Sequence, residues 1–279
     1  MKLGLVLPSR ESVLWHGGAT RSLLDIATAA EHAGWDSVWA GESIVARPRP
    51  DPIALLAAVA GRTSRVTLGT AVLLPLLRSP LLGAHSLATV HELSEGRLVV
   101  GVGPGASIPD TDAELRAVGA PVGRRVSRLL DTVAAWRAAW GDGPPVWLAA
   151  AGPRTLALTG TTFDGWLPYP PTASGYTDGL DVVRRHAAGR PVTAGVYLTV
   201  ALGEPDAAAA ELEAYLLGYY GVGRELMGAL QACFAGRPAD AAHWIRSYVD
   251  AGAEHVVVRI ARRDLRAHPG LAESLLAEL

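Results

Sequence analysis

The sequence predicts a (β/α)8 barrel, an α/β fold in a single domain over residues 1–279. Short apolar runs alternate with helix-like stretches, and eight such pairs can be counted along the chain. The strand-like runs are rich in Val and Leu without strict polar alternation, as in a parallel sheet buried on both faces. The length suits one barrel, and eight pairs favour it over an open doubly wound sheet.

The first strand spans residues 3–7 and is ended by Pro8. Its helix covers residues 20–33, with Thr20 as N-cap. The second strand is residues 37–40, and Asp51-Pro52 opens the next helix with an acidic cap and a proline at the first helical position. The third strand is residues 66–72, followed by a helix from Ser79-Pro80 to just before Gly96. The fourth strand is residues 97–102, and a long helix over 123–140 places Leu129, Leu130, Val133 and Trp136 on one face. Strand five, residues 146–149, is announced by Pro144-Pro145, and its helix begins at Gly152-Pro153 and ends at Gly160. Strand six is residues 165–167, its helix 175–186, and strand seven 192–201. Residues 204–252 read as wholly helical in several pieces. Strand eight is residues 255–260, and residues 265–279 form the closing helix.

Composition narrows the function classes. Apolar residues make up 49% of the chain, enough for a large core, and the formal net charge of −2 gives no electrostatic case for nucleic acid. The lone Cys233 excludes an internal disulfide. The strand pattern starts at the N-terminus, and apolar runs are broken well short of a membrane span, so a cytoplasmic protein is expected.

In a parallel α/β fold ligands bind at the carboxyl ends of the strands. The stretch Glu31-His32-Ala33-Gly34-Trp35-Asp36-Ser37-Val38-Trp39-Ala40-Gly41-Glu42-Ser43 ends at such a tip with Glu42 and Ser43. Arg10, Arg47 and Arg78 stand at other tips, His16 lies in the loop after strand one, and Tyr169 follows strand six. Gly101-Val102-Gly103-Pro104-Gly105 is either a tight barrel turn or a surface where a flat ring lies against backbone. In Ala149-Ala150-Ala151-Gly152-Pro153-Arg154, small residues feed a helix start whose N–H groups suit a phosphate, with Arg154 adding charge. His85, His91 and Glu92 on one helix lack a further ligand and read as surface, so no metal site is expected.

Several stretches together resemble the bacterial-luciferase-like superfamily of barrel oxidoreductases, which bind FMN or the deazaflavin F420. They are Ala30-Glu31-His32-Ala33-Gly34-Trp35-Asp36, Thr63-Ser64-Arg65-Val66-Thr67-Leu68-Gly69-Thr70, His91-Glu92-Leu93-Ser94-Glu95-Gly96-Arg97, Pro145-Val146-Trp147-Leu148-Ala149 and Phe163-Asp164-Gly165-Trp166. Their order and spacing cover nearly the whole chain. The resemblance implies a ring in the barrel mouth against Thr70, Ala71 and Val72, with a non-proline cis bond between Ala71 and Val72. It implies ring-edge contacts from Glu42 and Ser43, beside Gly101 and Gly103 of the glycine-rich turn. It places the cofactor phosphate on Ala151 and Gly152, and Ala149, Pro153 and Arg154 complete the expected cofactor-binding set.

Relatives that oxidise alcohols and sugar phosphates carry Asp-His where this chain has Glu42-Ser43, and an acid where it has Ala106. The expected activity is therefore F420H2-dependent reduction of an electron-poor C=C or C=N bond, with His16, Glu42 and Tyr169 as candidate proton donors. An FMNH2-dependent two-component monooxygenase and a cofactor-free binding subunit are the alternatives. The chain is short between Trp140 and Pro144, which predicts an open mouth for a bulky or peptide-like substrate. A homodimer through the helices carrying Leu55, Leu56, Val59, Leu87 and Val90 is also expected.

Overall fold

The computed structural model describes residues 1–106, 108–170 and 172–279. Strands β1 (Lys2–Val6), β2 (Ser37–Ala40), β3 (Thr67–Thr70), β4 (Leu98–Val102), β5 (Val146–Leu148), β6 (Gly165–Trp166), β7 (Thr193–Leu202) and β9 (His255–Ile260) close into a parallel barrel. Closure runs in the order β6-β5-β4-β3-β2-β1-β9-β7, and β6 pairs back onto β7. A further strand, β8 (Cys233–Gly236), also pairs with β7. Thr193 and Ala194 of β7 meet β6, whereas Thr199 to Leu202 meet β8. The Thr193 and Thr199 N–H groups point to the same flank of β7, donating to Asp164 and Ala232 carbonyls, so β8 takes over where β6 leaves off.

The surrounding helices are α1 (Ser9–His16), α2 (Thr20–Ala33), α3 (Pro52–Ala60), α4 (Pro80–Leu93), α5 (Pro109–Ala117), α6 (Arg125–Trp140), α7 (Pro153–Thr162), α8 (Ala173–Ala187), α9 (Pro205–Tyr220), α10 (Arg224–Gly228), α11 (Pro238–Asp250) and α12 (His268–Leu276). The core lies between barrel and helices, where Leu23, Ile26, Leu56, Val59, Leu87 and Trp136 are buried against the strands. Asp51 caps α3 as expected, accepting from the Ala54 N–H at 2.9 Å.

Five expectations change. Helix α1 is absent from the sequence reading because it buries the polar residues Ser9, Arg10, Glu11 and Ser12 instead of an apolar stripe. Helix α5 is short and polar, and its start signal, Pro109 with Asp110 and Asp112, lies inside what reads as a loop. Strand β8 breaks the segment read as wholly helical; four residues give no period to detect. Thr20 does not cap α2: it is the first helical residue, and its hydroxyl donates to the Gly18 carbonyl at 3.2 Å. Leu55, Leu56, Val59, Leu87 and Val90, assigned to a dimer surface, are all buried within the chain.

The inside of the barrel has its own packing. Trp39 fills it, and the chain makes room with glycines: a Cβ on Gly69 would lie 2.1 Å from Trp39 Cε3. The Trp39 indole N–H donates to Ser37 Oγ at 2.7 Å, which in turn meets His255 Nε2 at 2.7 Å. At the amino ends of the strands, side chains lock the turns. The Glu31 carboxylate accepts the N–H groups of Ser64, Arg65 and Val66 at 2.7–3.1 Å. Arg97 donates to the carbonyls of Ala60, Thr63, Val66 and Ser94, and Asp164 accepts from the Val146 N–H at 2.9 Å.

Candidate active site

The carboxyl ends of β2, β3 and β4 form one side of the barrel mouth. The peptide between Ala71 and Val72 is cis, as the family resemblance implies. Both side chains pack on the interior cluster that includes Val6, Trp39, Leu167, Tyr197 and Val257. Thr70 Oγ1 donates to the Gly101 carbonyl at 2.7 Å, and a Cβ on Gly101 would lie 2.1 Å from the Thr70 carbonyl oxygen. Gly103 sits against Val72 and Ala149, with Cβ approaches of 3.1 and 3.9 Å. Thr70, Ala71, Val72, Gly101, Gly103 and Ala149 are thus brought together as a floor.

Glu42 and Ser43 stand beside this floor, both buried and both engaged. Glu42 is ion-paired with Arg78 and accepts the Leu74 N–H at 2.6 Å. Burial pushes its carboxyl above the ordinary range, against the pull of Arg78. Ser43 donates to Glu114 and accepts the Arg47 N–H at 2.8 Å. Glu114 also accepts the N–H groups of Ile44, Val45 and Ala46 at 2.9–3.1 Å. Burial alone would raise the Glu114 carboxyl; the Ser43 hydroxyl and these N–H groups outweigh it and hold the carboxyl below its usual range. The pair therefore shapes the loop after β2.

The second part of the site is a cleft of about 380 Å³ between the start of α7 and helix α8, lined by Ala149, Ala150, Ala151, Trp166, Tyr169 and Leu230 among others. Ala151, Gly152, Pro153 and Arg154 are exposed at its edge. No side chain caps α7, so its first-turn N–H groups face outward without one. A Cβ on Gly152 would meet only Thr155 Oγ1, at 3.8 Å.

The third part lies over β7, β9 and β1, on the side of the mouth away from the short connection between Trp140 and Pro144, from which an open mouth is expected. The end of α9 covers it. Tyr215 donates to Glu11, and Tyr219 lies 4.5 Å from both the Arg10 and the Arg259 guanidinium carbons. Arg47 and Arg49 approach Tyr220 and Tyr219 at 5.0 and 5.8 Å.

Of the candidate proton donors, His16 ends α1 and bonds the backbone after β9, with the Arg263 carbonyl at 2.6 Å. Tyr169 lines the cleft and is half-exposed. Sequence reasoning missed Arg259, Tyr197 and Tyr219. An arginine within the otherwise aliphatic run His255-Val256-Val257-Val258-Arg259-Ile260 was the signal available for the first.

Comparison with known proteins agrees with this architecture. An F420-dependent glucose-6-phosphate dehydrogenase of Nocardia farcinica is 31% identical over 178 residues, 53% of this chain and 52% of that protein. The chain thus spans about half the length of the curated relatives it matches. Among solved structures, a monooxygenase from Streptomyces bottropensis, RslO1, superposes with a TM-score of 0.85 at 20% identity, covering 100% of this chain and 98% of that one. An F420-dependent secondary alcohol dehydrogenase bound to an F420–acetone adduct superposes with a TM-score of 0.78 at 17% identity, covering 100% and 99%. These likenesses are of fold. The sequence profile described as luciferase-like monooxygenase matches residues 1–255, and the chain belongs to that family.

Proposed function

We propose that this chain is an oxidoreductase that uses coenzyme F420 in its reduced form to deliver hydride to an electron-poor C=C or C=N bond of a small molecule. The observation that carries the reading is the cleft that opens from the exposed, uncapped start of α7 and lies next to the floor of Val72, Gly103 and Ala149. The F420 dependence of relatives at 31% identity supports the choice of cofactor.

The residues present fit such a group. Gly101 and Gly103 leave backbone bare where a flat ring would rest, and the N–H groups of Ala151 and Gly152 at the helix start suit a phosphodiester. Pro153 fixes that first turn and Arg154 adds positive charge beside it. When bound, the reduced deazaflavin supplies the hydride; the chain orients ring and substrate and excludes water. Thr70, Ala71 and Val72 support the ring face. Ser43 and Glu42 hold the β2 and β3 tips in register through Glu114 and Arg78. That Tyr169 lines the cleft supports it as the proton donor, whereas His16 and Glu42 are already bonded within the chain. The reading includes a homodimer, its surface on α4, where Leu81 and Leu82 are 72% and 65% exposed.

Fluorescence titration with F420 and with FMN tests this. F420 is expected to bind at least tenfold more tightly, about 1.4 kcal/mol. Tighter FMN binding would move the function to a two-component monooxygenase, and binding of neither would leave a cofactor-free binding subunit.

A further inference from the structure

We propose that Arg10, Arg259, Tyr197 and Thr199 form a binding site for an anionic group, a carboxylate or a phosphate, at the barrel mouth. Assigning that anion to the reductase's own substrate rests on the function proposed above.

The four residues occupy three adjacent staves. Tyr197 and Thr199 are on β7, Arg259 is the register partner of Thr199 on β9, and Arg10 follows β1, which pairs with β9. Their exposures are 7% for Arg10, 6% for Arg259, 8% for Tyr197 and 1% for Thr199. Arg10 Nε and Nη1, Arg259 Nε, the Tyr197 hydroxyl and Thr199 Oγ1 are all buried without a hydrogen-bond partner among the described residues. Buried donors of this kind are almost always satisfied, and buried charges almost always paired.

The buried Glu11 carboxylate of this cluster accepts from the Tyr215 hydroxyl and forms no ion pair with either arginine among the described residues. Arg47 pairs with Asp110, and Arg78 with Glu42 and Asp51, but among the described residues no carboxylate pairs with Arg10 or Arg259. Among the described residues the Arg259 side chain donates to the Tyr220 hydroxyl alone, at 2.5 Å. Tyr219 stacks on both guanidinium groups and Tyr197 lies 5.1 Å from that of Arg259. Stacking uses the faces of a guanidinium, while its N–H groups lie in the plane, and there Arg10 Nε and Nη1 and Arg259 Nε stay unmet. The rings also stay neutral, because burial raises the Tyr197 and Tyr219 hydroxyls above their ordinary value. Burial acts against both cations: with Arg49 and Arg47 close by it pulls Arg10 down to about 10, whereas at Arg259 the surrounding tyrosine hydroxyls outweigh it and hold the group above its ordinary value.

An anion with planar oxygens in the guanidinium plane completes the arrangement, taking N–H donors from both arginines and O–H donors from Tyr197 and Thr199. Tyr197 belongs to the same packed cluster as Ala71 and Val72, so the anion would lie next to the floor of the site.

Calorimetric titration with inorganic phosphate and with acetate tests the proposal and separates the two anion chemistries. Saturable binding of at least one is expected, weakened tenfold or more in Arg10→Met and Arg259→Met. Tyr197→Phe keeps the stacked ring and removes only the hydroxyl, so it should fold in any case and bind about threefold more weakly. Any phosphate binding at the start of α7 should be lost in Gly152→Val and kept in the arginine variants. Absence of saturable binding, equal affinity in Tyr197→Phe and wild type, or loss confined to Gly152→Val would overturn the site. F420 titration of the same samples separates the two claims. Arginine-dependent anion binding without F420 binding sinks the reductase and leaves the anion site. F420 binding without anion binding sinks the anion site alone.

Discussion

His255 shows how a single residue ties acid stability to barrel packing. Its ring lies edge-on to Trp39 and Trp147 with centroids 5.5 and 5.4 Å away, and its Nε2 meets Ser37 Oγ. Burial, helped by the Lys2 charge, pushes its pKa down to about 4. In the unfolded chain an imidazole titrates near its ordinary value of about 6.5, so between those values the unfolded state binds the proton that the folded state refuses. Stability should therefore be level above about pH 7 and fall as pH drops from about 6.5 toward 4, by up to roughly 3 kcal/mol. Urea midpoints across this range should show the fall in wild type and a smaller one in His255→Asn, the remainder belonging to His268 and His91, which burial also lowers. An equal fall in the variant would assign it to other groups.

At the scale of elements, the start of α7 offers the cleanest test of where a phosphate sits. Gly152 has φ −85° and ψ 154°, which any residue adopts, and its Cβ position is open. Gly152→Val should thus fold normally, with an unchanged melting temperature, while F420 affinity falls by roughly 1–3 kcal/mol. Unchanged affinity would place the phosphate elsewhere. This helix was legible in the sequence because Gly-Pro marks its start, and β2, α2 and β9 were legible because each is a regular run between clear breakers. Helix α1 and strand β8 were not, since neither carries a hydrophobic period, and both matter to the mouth: α1 supplies Arg10 and Glu11, and β8 extends the flank of β7. The floor from Thr70 to Gly103 was readable through family resemblance. The arginine–tyrosine cluster was not, because it joins residues 10, 197, 219 and 259 that only the closed barrel brings together.

Over the whole molecule, the family-defining stretches divide between the two ends of the barrel. Glu31, Arg97 and Asp164 secure turns at the amino ends, opposite the mouth, so much of what marks the family in this sequence is scaffold. The same scale governs assembly. The two leucines that begin α4 after Pro80 remain outside the core. Light scattering at micromolar concentration should give twice the 29.1 kDa chain mass, and Leu81→Glu with Leu82→Glu should return the monomer; a wild-type monomer refutes the dimer. Finally, β6 and β8 share one flank of β7 but stop short of each other, and the cleft residues Pro168 and Tyr169 emerge at that gap, where the Tyr197 N–H donates to Pro168. The wall facing the ligand is therefore a seam between two separately encoded segments. Residues 203–232 carry α9 and α10 between β7 and β8, so a substitution at Leu230, which lines the cleft, would re-cut the ligand space while every closing pair of the barrel stayed as it is.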